Sequence, residues 1–457
     1  MRCHYLVAAT LFLSSISLAA PPTLTQLSQN DTSIFGSTVF GTSFAPQASK
    51  LHFVTQRNVN GLNPQEKQIR PYLVDLQSGE LTVLPKPSQG FYGILLAAHI
   101  SGNGKKLVYR DVLDFTSKEF DIIMLDIANN NALKILDGDD YEIERMHVSA
   151  DGNHVFVETN SIPLGVVSDS ERLTSVLRVS ADGSNVDWVF VPYNLGLTDV
   201  RGIKLSPSGS HLGLISGRGD NLYIYNIATQ QLEQITDDSV GEVDDYVISG
   251  NKISYGDDRG LHIAELNGSN EKTLYAYNAQ YQTVFGASIS MSASGHMVSA
   301  MLGGLDFSAM KSNYKHVLLD TSDGSEIFSL PHILDYSQTG NQANLVHMGL
   351  TPWMFSQDEK RVYFIADINP HGTNADSSLE LFELALDGVS AATGILPYIT
   401  QSSAKTPVPE PGSSNQSPIP SPSNANSATG STAGASLSPV FLLIIFGILL
   451  LRLRCVG

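Results

Sequence analysis

Apolar and polar residues alternate with period two along most of this chain, and the alternation is punctuated by a recurring turn. The cleanest copies are ISGNGKKLVYR from Ile100, VSADGNHVFVE from Val148 and LSPSGSHLGLI from Leu205. Weaker copies are ISGNKISYG from Ile248, MSASGHMVSAM from Met291 and FSQDEKRVYFI from Phe355, and FAPQASKLHFV from Phe44 lacks the serine and glycine. Each copy reads as an apolar strand, a serine-led turn and a second alternating strand. A second element follows most copies, as in PYLVDLQSGELTVL, DIIMLDIANNNALKIL and NLYIYNIATQQLEQIT. Period-two alternation around a turn rich in Gly, Asn, Asp and Ser predicts a β-hairpin. No segment of the body sustains a comparable helical period.

Each unit therefore supplies about four short strands. Seven copies lie between Phe44 and Phe355, spaced by about 52 residues, which is the period of a bladed ring. The expected fold is all-β: a β-propeller of seven blades of four antiparallel strands, with six or eight blades as alternatives. A β-sandwich would not repeat its turn sequence. The stretch from Thr23 to Phe40 is placed to close the ring by joining the last blade.

The turn S-x-[DS]-G and the element typified by YLVDLQSGEL resemble the repeats of TolB-type propellers, and the same blades form the propeller domain of prolyl oligopeptidases. The resemblance covers most of residues 44–400. It implies the fold far more than a function, because such repeats serve binding scaffolds, gating domains and a few lyases. An oligopeptidase also needs a hydrolase domain with a G-x-S-x-G elbow, and no such motif or spare length is present. HExxH, Walker A and paired CxxC motifs are absent too.

The two ends have a different composition. Residues 1–19 carry a positive charge, an apolar run and small residues, the layout of a secretory signal, with Ser17 and Ala19 at the −3 and −1 positions. Cleavage after Ala19 leaves a propeller over 20–401. Residues 402–436 are rich in Ser, Pro, Asn, Ala, Thr and Gly, a composition that reads as a disordered stalk. The tail, 437–457, holds the largely apolar run Leu437 to Leu451 followed by Arg452 and Arg454. Such a transmembrane helix spans roughly 22 Å, short of the hydrocarbon thickness of about 30 Å. Its arginines would remain cytoplasmic and leave the propeller outside. This layout resembles the GlyGly-CTERM sorting tails processed by rhombosortases, with Gly434 and Ala435 where a glycine pair is usual. PVPEP at residues 407–411 is similar to the PEP-CTERM motif but stands about 25 residues too far from the helix. A plain membrane anchor is the alternative.

Charge and cysteine narrow the classes of partner. The net charge is −18, which disfavours nucleic acid and anionic lipid. Both cysteines, Cys3 and Cys455, lie in the terminal segments. An exported chain is free to form disulfides, so the body must hold itself together by burial and strand pairing alone.

Aligning the copies singles out the position two residues before each turn serine. It holds Ser43, His99, His147, Lys204, Val247, Ser290 and Met354. On the innermost strand of a blade this position faces the central channel, so His99, His147 and Lys204 are candidate ligand-binding residues on adjacent blades. The chain demands no cofactor. A divalent metal is the one it would accommodate, since some propeller lyases hold one by channel histidines; histidines hydrogen-bonded between blades are the plainer expectation. DINPHGTNADSS from Asp367 partly resembles a calcium loop through Asp367 and Asn369, but His371 and Ser378 stand where ligands belong. Arg218-Gly-Asp220, the DGDD of residues 137–140 and the acidic stretch Asp237 to Asp245 are expected to be exposed turns. The expected function is a non-enzymatic, extracytoplasmic binding or scaffold propeller for a protein or glycan partner. The alternative is a metal-dependent polysaccharide lyase or hydrolase working at the channel.

Overall fold

The computed structural model describes residues 21–27, 39–55, 70–85, 98–114, 119–161, 174–197, 199–217, 219–237, 239, 241–284, 288–306, 311–335, 352–366 and 380–388. One strand, β1 (Thr23–Gln26), precedes the blades along the chain. Blade 1 is β2 (Val39–Ala45), β3 (Lys50–Thr55), β4 (Arg70–Asp75) and β5 (Leu81–Val83). Blade 2 is β6 (His99–Ile100), β7 (Lys106–Asp114), β8 (Glu119–Asp126) and β9 (Asn131–Asp137). Blade 3 follows with β10 (Ile143–Val148), β11 (His154–Thr159), β12 (Ser175–Ser180) and β13 (Val186–Phe190). Blade 4 has β14 (Arg201–Leu205), β15 (His211–Ser216), β16 (Asn221–Asn226) and β17 (Gln231–Gln234). Blade 5 has β18 (Asp245–Ser249), β19 (Lys252–Asp257), β20 (Gly260–Glu265) and β21 (Lys272–Ala276).

In blade 6 the inner edge is split into β22 (Thr283–Val284) and β23 (Ser290–Met291), which both pair with β24 (Met297–Asp306) ahead of β25 (Lys311–Asp320) and β26 (Glu326–Asp335). Blade 7 is β27 (Met354–Phe355), β28 (Arg361–Ala366) and β29 (Glu380–Ala385), and its fourth strand is β1. The ring has seven blades, and the N-terminal segment closes it.

Strand residues pointing to either face of a blade are apolar, because both faces pack on neighbours. On β11, Val155 and Val157 enter the cluster shared with blade 2, while Phe156 between them enters the cluster shared with blade 4. Seven apolar clusters fill the seven seams. Seam 7–1, for example, joins Tyr363, Ile365 and Leu381 to Leu51, Tyr72 and Val74. Gly213 shows how close the approach is: a Cβ there would sit 2.3 Å from the Tyr246 ring of the next blade.

The turn serine explains the repeat. Ser149 Oγ accepts the His154 amide at 3.1 Å and donates to Asp151 at 2.5 Å. Ser101, Ser206, Ser292 and Ser356 accept the same amide five residues on, at 3.0, 3.0, 3.2 and 3.1 Å. The turns also bond to one another around the ring. Gln47 N donates to Gly102 O at 3.0 Å, Asn103 N to Ala150 O at 2.9 Å, and Ser249 Oγ to Ser292 O at 2.8 Å. Gln357 N donates to Pro46 O at 3.1 Å, carrying the chain of contacts from blade 7 back to blade 1. Gly104 permits this crowding, because its φ is +67° and a Cβ would lie 2.7 Å from Ala48.

Ser149→Ala removes the acceptor for a turn amide and is expected to lower unfolding free energy by about 1–2 kcal/mol, measured by urea denaturation. The same change at Ser78, in the exposed turn between β4 and β5, should have less than half that effect.

Candidate functional site at the hub

The inner strands β2, β6, β10, β14, β18, β23 and β27 carry the aligned position, and there the side chains are partly exposed. Their flanking residues Ala98 and Ile100, Tyr246 and Ile248, Ile289 and Met291, and Trp353 and Phe355 are buried. Strand pleat explains this, since every second residue turns away from the packed seam. The lining is uneven. Blades 1–4 present Ser43, His99, His147 and Lys204, whereas blades 5–7 present Val247, Ser290 and Met354.

His99 and His147 stand side by side, with ring centroids 5.8 Å apart. His147 Nε2 lies 2.7 Å from Glu158 Oε1, on a carboxylate that is buried on β11 of the same blade. Ser43 Oγ accepts the Ile100 amide at 2.9 Å and so ties blade 1 to blade 2. Opposite Ser43 on β3 lies His52, fully buried, whose two ring nitrogens have no hydrogen-bond partner among the described residues. Burial holds the His52 imidazole down to about 3. His99 is also lowered to about 3, first by desolvation and then by His147, His52 and Arg110.

Lys204 does not end in the open channel. Its Nζ reaches Asp245 Oδ1 at 2.5 Å and Tyr246 O at 2.6 Å, both on blade 5. The nitrogen also sits 5.1 Å from the centre of the Tyr246 ring. Asp245 Oδ2 accepts the Ile289 amide of blade 6 at 3.1 Å, so one carboxylate links three blades. The acidic stretch Asp237 to Asp245 therefore ends in a buried structural carboxylate and is not exposed throughout, because Lys204 compensates its charge. Two backbone bulges serve the same clasping. The bulge in β10 frees Glu144 O to accept Arg110 Nη2 from blade 2. The bulge in β14 leaves Gly202 O to accept Tyr246 Oη at 2.6 Å.

The residues that sequence alignment missed are His52, Arg110, Glu158, Asp245 and Tyr246. A signal for four of them was present. KLHFVT, KLVYRD, HVFVET and DYVIS each set a charged or imidazole side chain within an apolar strand, and buried ionisable groups need a partner or neutrality.

Among the described residues no three His, Cys, Asp or Glu side chains gather as a metal would require. His147 is held by Glu158 through its Nε2. Asp367 and Asn369 lie outside the described residues, as do Ala19, Gly434, Ala435, the stalk and the tail. Among the described residues no helix is long and apolar enough to cross a membrane. Of the Arg218-Gly-Asp220 tripeptide, Asp220 is described and pairs with Arg201 within blade 4. Asp137 ends β9, and residues 138–140 form a short 3-10 turn.

No protein-family model matches the chain, and no curated protein matches it. Solved structures do. A prolyl endopeptidase is similar at 14% identity and TM-score 0.50, over 73% of this chain and 47% of that one. The chain thus spans about half the length of that enzyme. An oligogalacturonate lyase in complex with manganese aligns at 13% identity and TM-score 0.50, covering 80% of this chain and 97% of that one. The oligogalacturonate lyase of Vibrio parahaemolyticus aligns at 10% identity and TM-score 0.52 with the same coverage. At these identities the likeness is one of fold.

Two predictions follow from this geometry. Lys204→Ala strands the buried Asp245 charge and should destabilise the ring by roughly 2–3 kcal/mol, the full buried-pair penalty being reduced by the lysine's partial exposure. Lys204→Met combined with Asp245→Leu should recover most of that loss, as read by chemical denaturation. The second concerns acid. His52 is neutral in the folded ring and takes up a proton near 6.5 once unfolded, so protonation favours the unfolded chain. Its contribution is complete above about pH 6.5 and is lost as pH falls toward 3, by roughly 1.4 kcal/mol per unit. His52→Leu should accordingly flatten the decline of stability between pH 6 and pH 4, measured as melting temperature against pH.

Proposed function

We propose that the protein is an exported, non-enzymatic binding propeller that presents its ring to a protein or glycan partner outside the cytoplasm. The observation that carries this reading is the employment of the hub charges. Lys204 is spent on Asp245 and Tyr246 O, Arg110 reaches Glu144 O, and His147 is held by Glu158. These groups join blades or complete strand packing, and a catalyst needs groups held ready for a substrate. On this reading residues 1–19 direct export, residues 402–436 act as a stalk, and the tail beyond attaches or sorts the ring at a bacterial surface. A rhombosortase-type protease acting near Gly434 and Ala435 is the processing partner. Nucleic acid is not a partner, given the net charge of −18.

A second reading, a metal-dependent polysaccharide lyase or hydrolase, is favoured by one observation. Two neighbouring imidazoles, His99 and His147, stand 5.8 Å apart beside the unpartnered ring of His52, in a fold shared with oligogalacturonate lyases.

One experiment separates the two. The purified protein is incubated with polysaccharide and protein arrays, with and without manganese or zinc. The binding reading expects retention of a ligand without turnover and no thermal shift on adding metal. Metal-dependent release of unsaturated sugar, lost in His99→Ala and His147→Ala, would replace it with the enzyme reading.

A further inference from the structure

Asp, Glu, Lys and Arg make up 16% of the chain, yet residues 273–305 contain none of them, the longest such run within the propeller. At the overall composition these 33 residues would carry about five. Burial accounts for the run in β24. It does not account for the connector from β21 to β22, where Ala276, Asn278, Ala279, Gln280 and Gln282 are exposed. Strands in a blade alternate in direction, so every connection to the next blade emerges at one end of the ring. Two others there are strongly acidic: residues 138–142 carry Asp139, Asp140 and Glu142, and residues 237–244 carry Asp237, Asp238, Glu242 and Asp244. Asp244 accepts Thr283 Oγ1 at 2.8 Å, so the uncharged connector stands directly beside the acidic one.

The connector is held in one shape. Asn278 Oδ1 accepts the amides of Gln280 and Tyr281 at 2.8 and 3.0 Å, and its Nδ2 donates to Tyr275 Oη at 3.2 Å. Gln282 N donates to Gly303 O at 2.8 Å and fastens the connector to β24. Tyr275, half-buried, meets Tyr281 edge-to-face with ring centroids 6.5 Å apart. The Tyr275 hydroxyl accepts from Asn278 and keeps its own proton to donate. The Gln280 carboxamide has no partner among the described residues, and Gln282 engages only Nε2, toward Ala279 O at 3.2 Å. The surface therefore offers aromatic carbon flanked by neutral groups that both donate and accept. A sugar ring is the complement of that surface. Its C–H face is apolar, and each rim hydroxyl donates and accepts. A polysaccharide bearing carboxylates is not, because its charge would face Asp244 and the other acids at this end.

We propose that residues 275–282 form a glycan-binding site for an uncharged polysaccharide. This rests on the binding reading proposed above and names the ligand class. The fixed loop lowers the ordering cost of binding, and the acidic connectors around it reject anionic chains.

Affinity electrophoresis of the full chain through gels containing laminarin, galactomannan or polygalacturonate tests it. At least one of the two neutral polysaccharides should retard the protein, and polygalacturonate should not. Gln280→Glu combined with Gln282→Glu alters only exposed side chains and should weaken that retardation about tenfold, the loss expected for one or two hydrogen bonds. Tyr275→Leu should weaken it as well, with melting temperature reporting whether the ring is intact. Gln231→Glu, exposed on the outer strand β17, should leave it unchanged. The site is overturned if neither neutral polysaccharide retards the chain, or if the double glutamate variant is retarded as the parent is. It is equally overturned if Gln231→Glu weakens retardation as much as the double variant does. Retardation by polygalacturonate alone, or capture of a protein ligand alone, overturns this site while leaving a binding role standing.

Discussion

Seam packing between neighbouring blades is the interaction on which the rest of this structure depends. A four-stranded blade has two apolar faces and cannot bury either one alone. Val157 and Phe156 are adjacent in the chain yet serve different seams, so each blade is stable only between two others. Closure of the ring is then a requirement, because an open end would leave a full apolar face in water. The chain has no cysteine between its terminal segments, and closure falls to β1, to Leu27 and to the Gln357-to-Pro46 turn contact.

The hub follows from that constraint. Where the inner edges converge the aligned side chains are partly exposed, and polar groups appear among them. Once placed there they must be neutral or paired. His52 and His99 take the first course, since burial keeps both imidazoles down to about 3. Lys204 with Asp245, and Glu158 with His147, take the second. Backbone bulges at Glu144 and Gly202 supply carbonyls for Arg110 and Tyr246. The chemistry of the hub is thus largely the chemistry of holding blades together.

Much of the architecture could be read in advance. The serine of S-x-[DS]-G recurs because its Oγ satisfies the amide five residues on, a local requirement that every blade meets in the same way. The same alignment placed His99, His147 and Lys204 on inner strands, because the offset from a fixed turn determines depth along the strand. Their partners were harder to see. Glu158 lies eleven residues from His147 across a hairpin, and Asp245 lies 41 residues from Lys204 on another blade. Asp245 also sat at the end of an acidic stretch that reads as surface.

The amino-acid sequence alone determined the strand count per unit and the side-chain face at each repeat position, and it pointed to seven units while leaving six or eight open. Those follow from period-two alternation and from turns whose hydrogen bonds are local. Only the tertiary structure decided which part of the Thr23–Phe40 stretch completes blade 7, which hub charges pair, and which imidazoles remain without partners. These outcomes depend on contacts between segments distant in sequence, from Thr23 with Ala385 to Lys204 with Asp245. The circular closure that brings such segments together leaves no periodic trace along the chain.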